Sequence, residues 1–378
     1  MTKTRSGGDR HAAAGSHVGS ADVAEMTSRD LKARSRRRRV TGIAAGVAVI
    51  AWVVYRAGDA RSMTGRISSD TRCQSDSTTA ADMSSLIHGS APIRCEPWDI
   101  GTGVTGYMWR ASNPRAVVLL QTGWGDYAQR YVNSGSRLIP HLLNRGISVY
   151  AFDMWGNGRS PGKRGATHIG QAVTDNLAAR RALRSQPLPV FLLGHSVGGL
   201  VTAASVVNDQ TGVEGMILLA PALDWGLRGF TRLLAYVGGF VVPTFSVPGP
   251  AAVTQTRDVA AQRRLDTDPL VVHRAVTWVT VSTGVTVSRD NWARYRELRV
   301  PVFVAHGSAD RGPDPSGSRR FISLVASPDA TLSIVPGGLH GMLDDTSGPE
   351  VVQLILAWLE KHLPNASTRS SEILPRPD

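Results

Sequence analysis

The sequence predicts an α/β fold, a mostly parallel sheet with helices on both faces and one inserted helical cap. Three observations carry this reading. Short continuous apolar runs alternate with stretches of helical length, Gly-rich turns separate them, and the rhythm breaks once, after Pro221, before resuming at Val300. Strands buried on both faces read as unbroken Val/Ile/Leu runs, and their alternation with helices is the signature of a covered parallel sheet.

Two short runs, 93–100 and 104–110, read as an antiparallel edge pair. AVVLLQTGWG (116–125) is an apolar strand closed by a glycine turn, followed by a helical stretch over 135–144 and the strand SVYAFDM (148–154). After the turn WGNGRSPG come a helix over 169–184, the strand VFLLG (190–194), a helix over 199–207 and the strand GMILLAP (215–221). Residues 222–298 match no strand of the sheet and read as the cap. The closing elements are VPVFVAHGSAD (300–310), ATLSIVP (330–336), a Gly-rich loop with His340, and a helix carrying Val351, Leu354, Ile355, Trp358 and Leu359 on one face. The core is therefore expected over 93–221 and 299–363, with a disordered polar tail over 364–378.

A net charge of +12 invites a nucleic-acid reading, but its distribution removes the reason for one. Residues 1–66 hold 13 Lys/Arg against 5 Asp/Glu, which leaves only +4 for the other five-sixths of the chain. Residues 1–39 have the composition of a disordered basic tail, ending in Arg36-Arg37-Arg38-Arg39. The uncharged run from Val40 to Tyr55, closed by Arg56, spans about 24 Å as a helix and crosses a bilayer if the flanking arginines snorkel. It is expected to be a single transmembrane signal anchor (40–56) with the arginines cytoplasmic, placing the linker 57–92 and the catalytic body outside the cytoplasm at the cell membrane. A cleaved signal, suggested by Ser35-Arg36-Arg37, is the alternative. Cys73 and Cys95 both follow the apolar run and could close a disulfide loop, as an oxidising compartment permits.

The chemistry lies in Gly194-His195-Ser196-Val197-Gly198-Gly199, a G-x-S-x-G pattern between a strand and a helix, where a sharp turn exposes the Ser196 hydroxyl. A serine hydroxyl needs a base, and the base needs an orienting carboxylate. Of the histidines that follow, His273 falls in the cap, His362 lies on the last helix, and His306 sits inside a strand with the address of a structural imidazole. His340, in a loop directly after a strand, fits the base. For the acid, Asp310 stands at the first turn beyond its strand, while Asp314 is placed to cap the next helix. The oxyanion donors expected are the N–H groups of Val197, after the nucleophile, and Trp124, in the turn Thr122-Gly123-Trp124-Gly125. No metal or cofactor motif occurs.

The stretches TGWGDYAQRY (122–131), FDMWGNGRSPGKRG (152–165), GHSVGG (194–199), DTDPL (266–270), HGSAD (306–310) and GGLHGML (337–343) together resemble the α/β-hydrolases of the monoacylglycerol lipase and lysophospholipase group. The resemblance implies the α/β-hydrolase fold, Ser196, Asp310 and His340 as the triad, Trp124 and Val197 as the oxyanion hole, and a lid over an acyl pocket at 222–298. It implies a serine esterase acting on lipid esters such as monoacylglycerols or lysophospholipids, without cofactor. An acyltransferase or thioesterase with the same triad, or a silent binding protein of this fold, are the alternatives. The chain departs from the pattern at Thr122-Gly123, where His-Gly is usual, and at Asp126-Tyr127.

Overall fold

The apolar runs of the central strands lack the polar alternation of a half-exposed strand, so they are stable only where both of their faces are covered. The computed structural model, which describes residues 93–133, 135–247 and 254–363, covers them with helices. Eight strands form one sheet: β1 (Glu96–Trp98), β2 (Gly106–Trp109), β3 (Ala116–Gln121), β4 (Ile147–Phe152), β5 (Val190–His195), β6 (Gly215–Leu219), β7 (Val302–Gly307) and β8 (Ala330–Val335). Their order is β1-β2-β4-β3-β5-β6-β7-β8. Strands β3 to β8 run parallel, and β1 and β2 form the expected antiparallel edge, with β2 antiparallel to β4.

Successive residues of a strand point to opposite faces, so each run feeds two cores. Val117, Leu119, Leu192, Leu218 and Val304 face one layer, with the helices α3 (Ile169–Leu183) and α4 (Val197–Asn208). Val118, Leu120, Phe191, Leu193 and Ile217 face the other, against α2 (Leu138–Asn144) and α9 (Gly348–His362). Val351, Ile355, Trp358 and Leu359 of α9 are buried there, which is the face its spacing predicts.

Boundaries differ from the expectation where the backbone must turn. The helix expected over 135–144 starts only at Leu138, because Arg137 sits at φ 50°, in the left-handed region, and a separate single turn, α1 (Arg130–Asn133), precedes it. The helix after Ser196 starts two residues earlier than expected, at Val197. Strand β4 ends at Phe152, since Asp153 turns its carboxylate onto the N–H groups of Ala128 and Arg159. Between β7 and β8 lies α8 (Pro315–Leu324), capped by Asp314, whose Oδ1 accepts from Ser316 N at 2.7 Å.

Between β6 and β7 the chain forms α5 (Gly229–Val241), α6 (Val259–Thr267) and α7 (Trp278–Trp292). Helix α7 is fastened to the sheet domain by side-chain bonds: the Thr280 and Thr283 hydroxyls accept from Thr167 N and Ile169 N, and Ser288 donates to Leu223 O. Helix α5 lies on α7 through Ala235 and Gly238, and the approach is close enough that a Cβ at Gly238 would stand 2.4 Å from the Trp278 ring. The opposite face of α5 is apolar and open to solvent, with Phe230 75% and Leu233 57% exposed beside Leu234, Val237 and Val241.

The expected anchor from Val40 to Tyr55 and Cys73 lie outside the described residues, as does the tail 364–378. Among the described residues no helix is long and apolar enough to cross a membrane, and no cysteine is a free thiol.

Candidate active site

Three parallel strands deliver their carboxyl ends to one edge of the sheet, and the three chemistry-bearing residues stand just beyond them. Ser196 is the single residue between β5 and α4 and is held at φ 56°, ψ −122°, a conformation that a non-glycine residue adopts only under constraint. The constraint is visible. Ser196 N donates to Leu219 O on β6, and Gly198 lies so close beneath the turn after β3 that a Cβ there would approach Gln121 O to 2.3 Å. The glycine is needed because α4 and the β3 turn share this space.

His340 Nε2 lies 2.8 Å from Ser196 Oγ, and His340 Nδ1 lies 2.8 Å from Asp310 Oδ2. These contacts join residues 144 and 30 positions apart in sequence, and the structure brings all three side chains together. Ser196 and His340 are each 9% exposed, so the hydroxyl is reachable only from the cavity above it. Burial alone would push the Asp310 carboxyl up. Hydrogen bonds from His306 and His340, with Gly312 N donating to Oδ1, instead hold it well below the usual carboxylate range. Asp310 is therefore a fixed negative charge at neutral pH. Asp314, the other candidate acid, serves as the N-cap of α8.

Val197 is the first residue of α4, so its N–H has no acceptor within the helix and points from the positive end of the dipole. The turn Gly123-Trp124-Gly125 lies against Ser196: a Cβ on Gly123 would stand 3.2 Å from the Ser196 Cβ. Trp124 is fixed by its own indole, which donates to Gly165 O at 3.0 Å, and Gly125 N donates to Asn157 Oδ1. Trp124 and Val197, the residues expected to supply the oxyanion N–H groups, line the same cavity as Ser196.

Beneath the site lies a polar network that local sequence does not announce. Arg130 of α1 forms a two-pronged ion pair with Asp126, at 2.7 Å for each prong, and reaches Asp344 at 2.5 Å. Asp126 ends the turn after β3 and Asp344 follows the His340 loop, so one guanidinium joins the two. Burial raises the Asp126 carboxyl and lowers the Arg130 guanidinium, but the ion pairs prevail and move them the other way. The neighbouring Tyr131 hydroxyl meets His195 Nδ1 at 3.2 Å, and His195 Nε2 meets the His340 carbonyl at 3.1 Å. Burial, with the nearby His340, lowers the His195 imidazole to about 4, which keeps it neutral at working pH.

Of the other histidines, His273 is exposed in the cap and bonds to Asp268 O, and His362 pairs with Asp329 at the far end of the domain. His306 is buried, as a structural imidazole should be, but one of its partners is the Asp310 carboxylate.

A cavity of about 510 Å3 opens over Ser196. The cap contributes Leu265, Val271, Val272, Ala275 and Val276 to its wall, which with Trp225 gives one side the apolar character that an alkyl chain requires. Asp126, Arg130, Gln255 and Gln262 line other parts. Among the described residues no cluster of His, Cys, Asp or Glu has the arrangement of a metal site.

Comparison with known proteins agrees with this chemistry. The family model for Hydrolase_4 (serine aminopeptidase, S33) matches residues 112–347. The chain is 29% identical to a monoacylglycerol lipase of Mycolicibacterium smegmatis over 67% of this chain and 90% of that protein. It is 28% identical to the human monoglyceride lipase over 70% of this chain and 88% of that protein. The crystal structure of a Paleococcus ferrophilus monoacylglycerol lipase superimposes with a TM-score of 0.61 at 28% identity, covering 68% of this chain and 99% of that one.

Proposed function

Because the chain belongs to the Hydrolase_4 family (serine aminopeptidase, S33) and is a serine hydrolase of carboxylic esters, we propose that it cleaves monoacylglycerols or closely related lipid esters through Ser196, His340 and Asp310. The observation that carries the assignment of residues is the unbroken hydrogen-bond line Ser196 Oγ, His340 Nε2, His340 Nδ1, Asp310 Oδ2. In the first step Ser196 Oγ attacks the ester carbonyl while His340 Nε2 takes its proton, and the oxyanion is met by the N–H groups of Val197 and Trp124. His340 then returns that proton to the departing alcohol, leaving an acyl-serine. Water, deprotonated by His340, attacks the acyl carbonyl and releases the fatty acid, and the serine recovers its proton. Asp310 stays ionised throughout, orienting the imidazole and stabilising its charged form.

Two observations support a lipid chain as the acyl group. One cavity wall is apolar, and the cap above it turns a second apolar face, on α5, toward solvent. An exposed face of this kind suits contact with a lipid surface. Together with the anchor expected from Val40 to Tyr55 and the disulfide expected between Cys73 and Cys95, it supports the further proposal of an enzyme tethered to the cell membrane, its catalytic body outside the cytoplasm. Hydrolysis of a panel tests the substrate reading: 1-monoacylglycerols of graded chain length, a lysophospholipid and an aminoacyl amide. Turnover is expected to favour the monoacylglycerols, and a preference for the amide would overturn it.

A further inference from the structure

The triad acid is held by a second imidazole. His306, the penultimate residue of β7, is fully buried, and its Nε2 lies 3.2 Å from Asp310 Oδ2, the same oxygen that meets His340 Nδ1. Nε2 also lies 3.1 Å from Pro313 O. A carbonyl oxygen can only accept, so this nitrogen carries a proton, which it shares between Pro313 O and the Asp310 carboxylate. Nδ1 is 2.7 Å from the hydroxyl of Ser318, a fully buried residue of α8. The Ser318 hydroxyl at Nδ1 and the two acceptors at Nε2 hold the ring from both sides and fix its plane. The line Ser318, His306, Asp310, His340, Ser196 is continuous, and it crosses from α8 through β7 to the nucleophile.

The contrast with His362 shows that this is not simply a buried histidine finding a partner. His362 also meets an aspartate, Asp329, but that carboxylate is partly exposed, is shared with Lys361 and touches nothing catalytic. At Asp310 both donors converge on one oxygen, while the other takes Gly312 N at 2.7 Å. A carboxylate gripped at both oxygens cannot rotate away from His340.

We propose that His306 is a positioning residue for the reaction, acting through Asp310: its Nε2–H fixes the carboxylate in the one orientation that directs Oδ2 at His340 Nδ1. The inference rests on the reading of Ser196, His340 and Asp310 as the catalytic set. It differs from a packing role in one respect: its effect must vanish when Asp310 can no longer act.

A double-mutant cycle on a soluble short-chain ester separates the two. His306→Leu, which keeps apolar bulk and removes the donor, is expected to lower kcat about 10- to 100-fold, as loss of an orienting hydrogen-bond partner often does, with KM within twofold of wild type. His306→Gln, whose amide can donate from nearly the same place, should recover most of that loss. In an Asp310→Asn background His306→Leu should cost nothing further. An equal cost in both backgrounds, or a Gln variant no better than Leu at matched thermal stability, overturns the inference while leaving the catalytic set intact. Wild-type kcat in Asp310→Asn alone overturns the catalytic set as well, so the two failures are distinguishable.

Discussion

The carboxyl edge of the sheet and helix α5, on the outside of the cap, are held in different ways. At the edge, Ser196, His340, Asp310, His306, His195, Arg130 and Asp344 are each held by at least one side-chain hydrogen bond, and the backbone around Ser196 is strained into place. In the cap, α7 is tied to the sheet domain by side-chain bonds, but α5 meets α7 chiefly through Ala235 and Gly238, with one bond from Arg289 to the Tyr236 hydroxyl, and leaves a run of large apolar side chains in solvent. The difference follows from what each region must do. Hydrogen bonds have narrow geometry and fix atoms to fractions of an ångström, as proton transfer requires. Apolar contact is non-directional, so a surface held by it can slide, open or change partners. The residues proposed for catalysis thus lie in the rigid region, and the face proposed to meet lipid lies on the adaptable one.

Breaking the rigid side should cost most. Asp310→Asn keeps shape but leaves His340 in the wrong tautomer, and kcat is expected to fall about 10^4-fold with the protein still folded. Arg130→Gln removes the cation that neutralises two buried carboxylates, so the denaturation midpoint should drop by an amount equal to about 3–5 kcal/mol. Arg130→Lys, which keeps charge but loses the fork, should fall between. Urea unfolding of the three proteins side by side would check this.

His195 gives the rigid region a pH limit. Its folded value lies near 4 against an ordinary 6.5, so the unfolded chain binds the proton more readily. The stability it contributes is present above 6.5 and is lost as the pH falls from there toward 4, for a total near 3 kcal/mol. Asp310, held low, adds its own loss only at more acid pH, below the ordinary carboxylate value of 3.8. Asp153, pushed up to about 6 by burial, changes stability in the opposite sense as the pH falls from 6 to 3.8, so the His195 share is read as the difference between the wild-type and His195→Gln melting temperatures, a difference expected to fall from pH 7 to pH 4.

The smallest effect is expected on the adaptable side. Phe230→Ser with Leu233→Ser should leave hydrolysis of a soluble ester within twofold of wild type and lower hydrolysis of monoacylglycerol presented in phospholipid vesicles about tenfold, the scale of a modest loss of buried apolar area. Equal loss on both substrates would mean that α5 shapes the cavity rather than contacting lipid.

The same division governs what could be read from sequence. AVVLLQ and VFLLG are legible because a strand buried on both faces leaves no polar alternation, and Ser196 is legible because a G-x-S-x-G turn needs a strand before it and a helix after it. His340 and Asp310 follow from chain order and position after strands. The supporting network is not legible: Arg130 meets Asp344 across 214 residues, and His195 meets a backbone carbonyl 145 residues away, pairings that no local pattern records. His306 could be read as buried but not as bonded to Asp310, since the turn that folds the chain back on itself sets that contact. Helix α8 is announced by Asp314-Pro315, a cap followed by a proline at the first helical position, and its apolar face buries Phe321. The spacing of Phe230, Leu233, Leu234, Val237 and Val241 marks an apolar helix face, and periodicity cannot say whether another part of the protein covers it.

The assignment of Ser196 as the nucleophile is tested directly by a fluorophosphonate probe. Intact-mass and peptide analysis should find one adduct per chain, on Ser196, with no adduct and no ester hydrolysis in Ser196→Ala at wild-type thermal stability. A labelled Ser196→Ala protein, or a folded and active wild type that takes up no probe, would contradict the account.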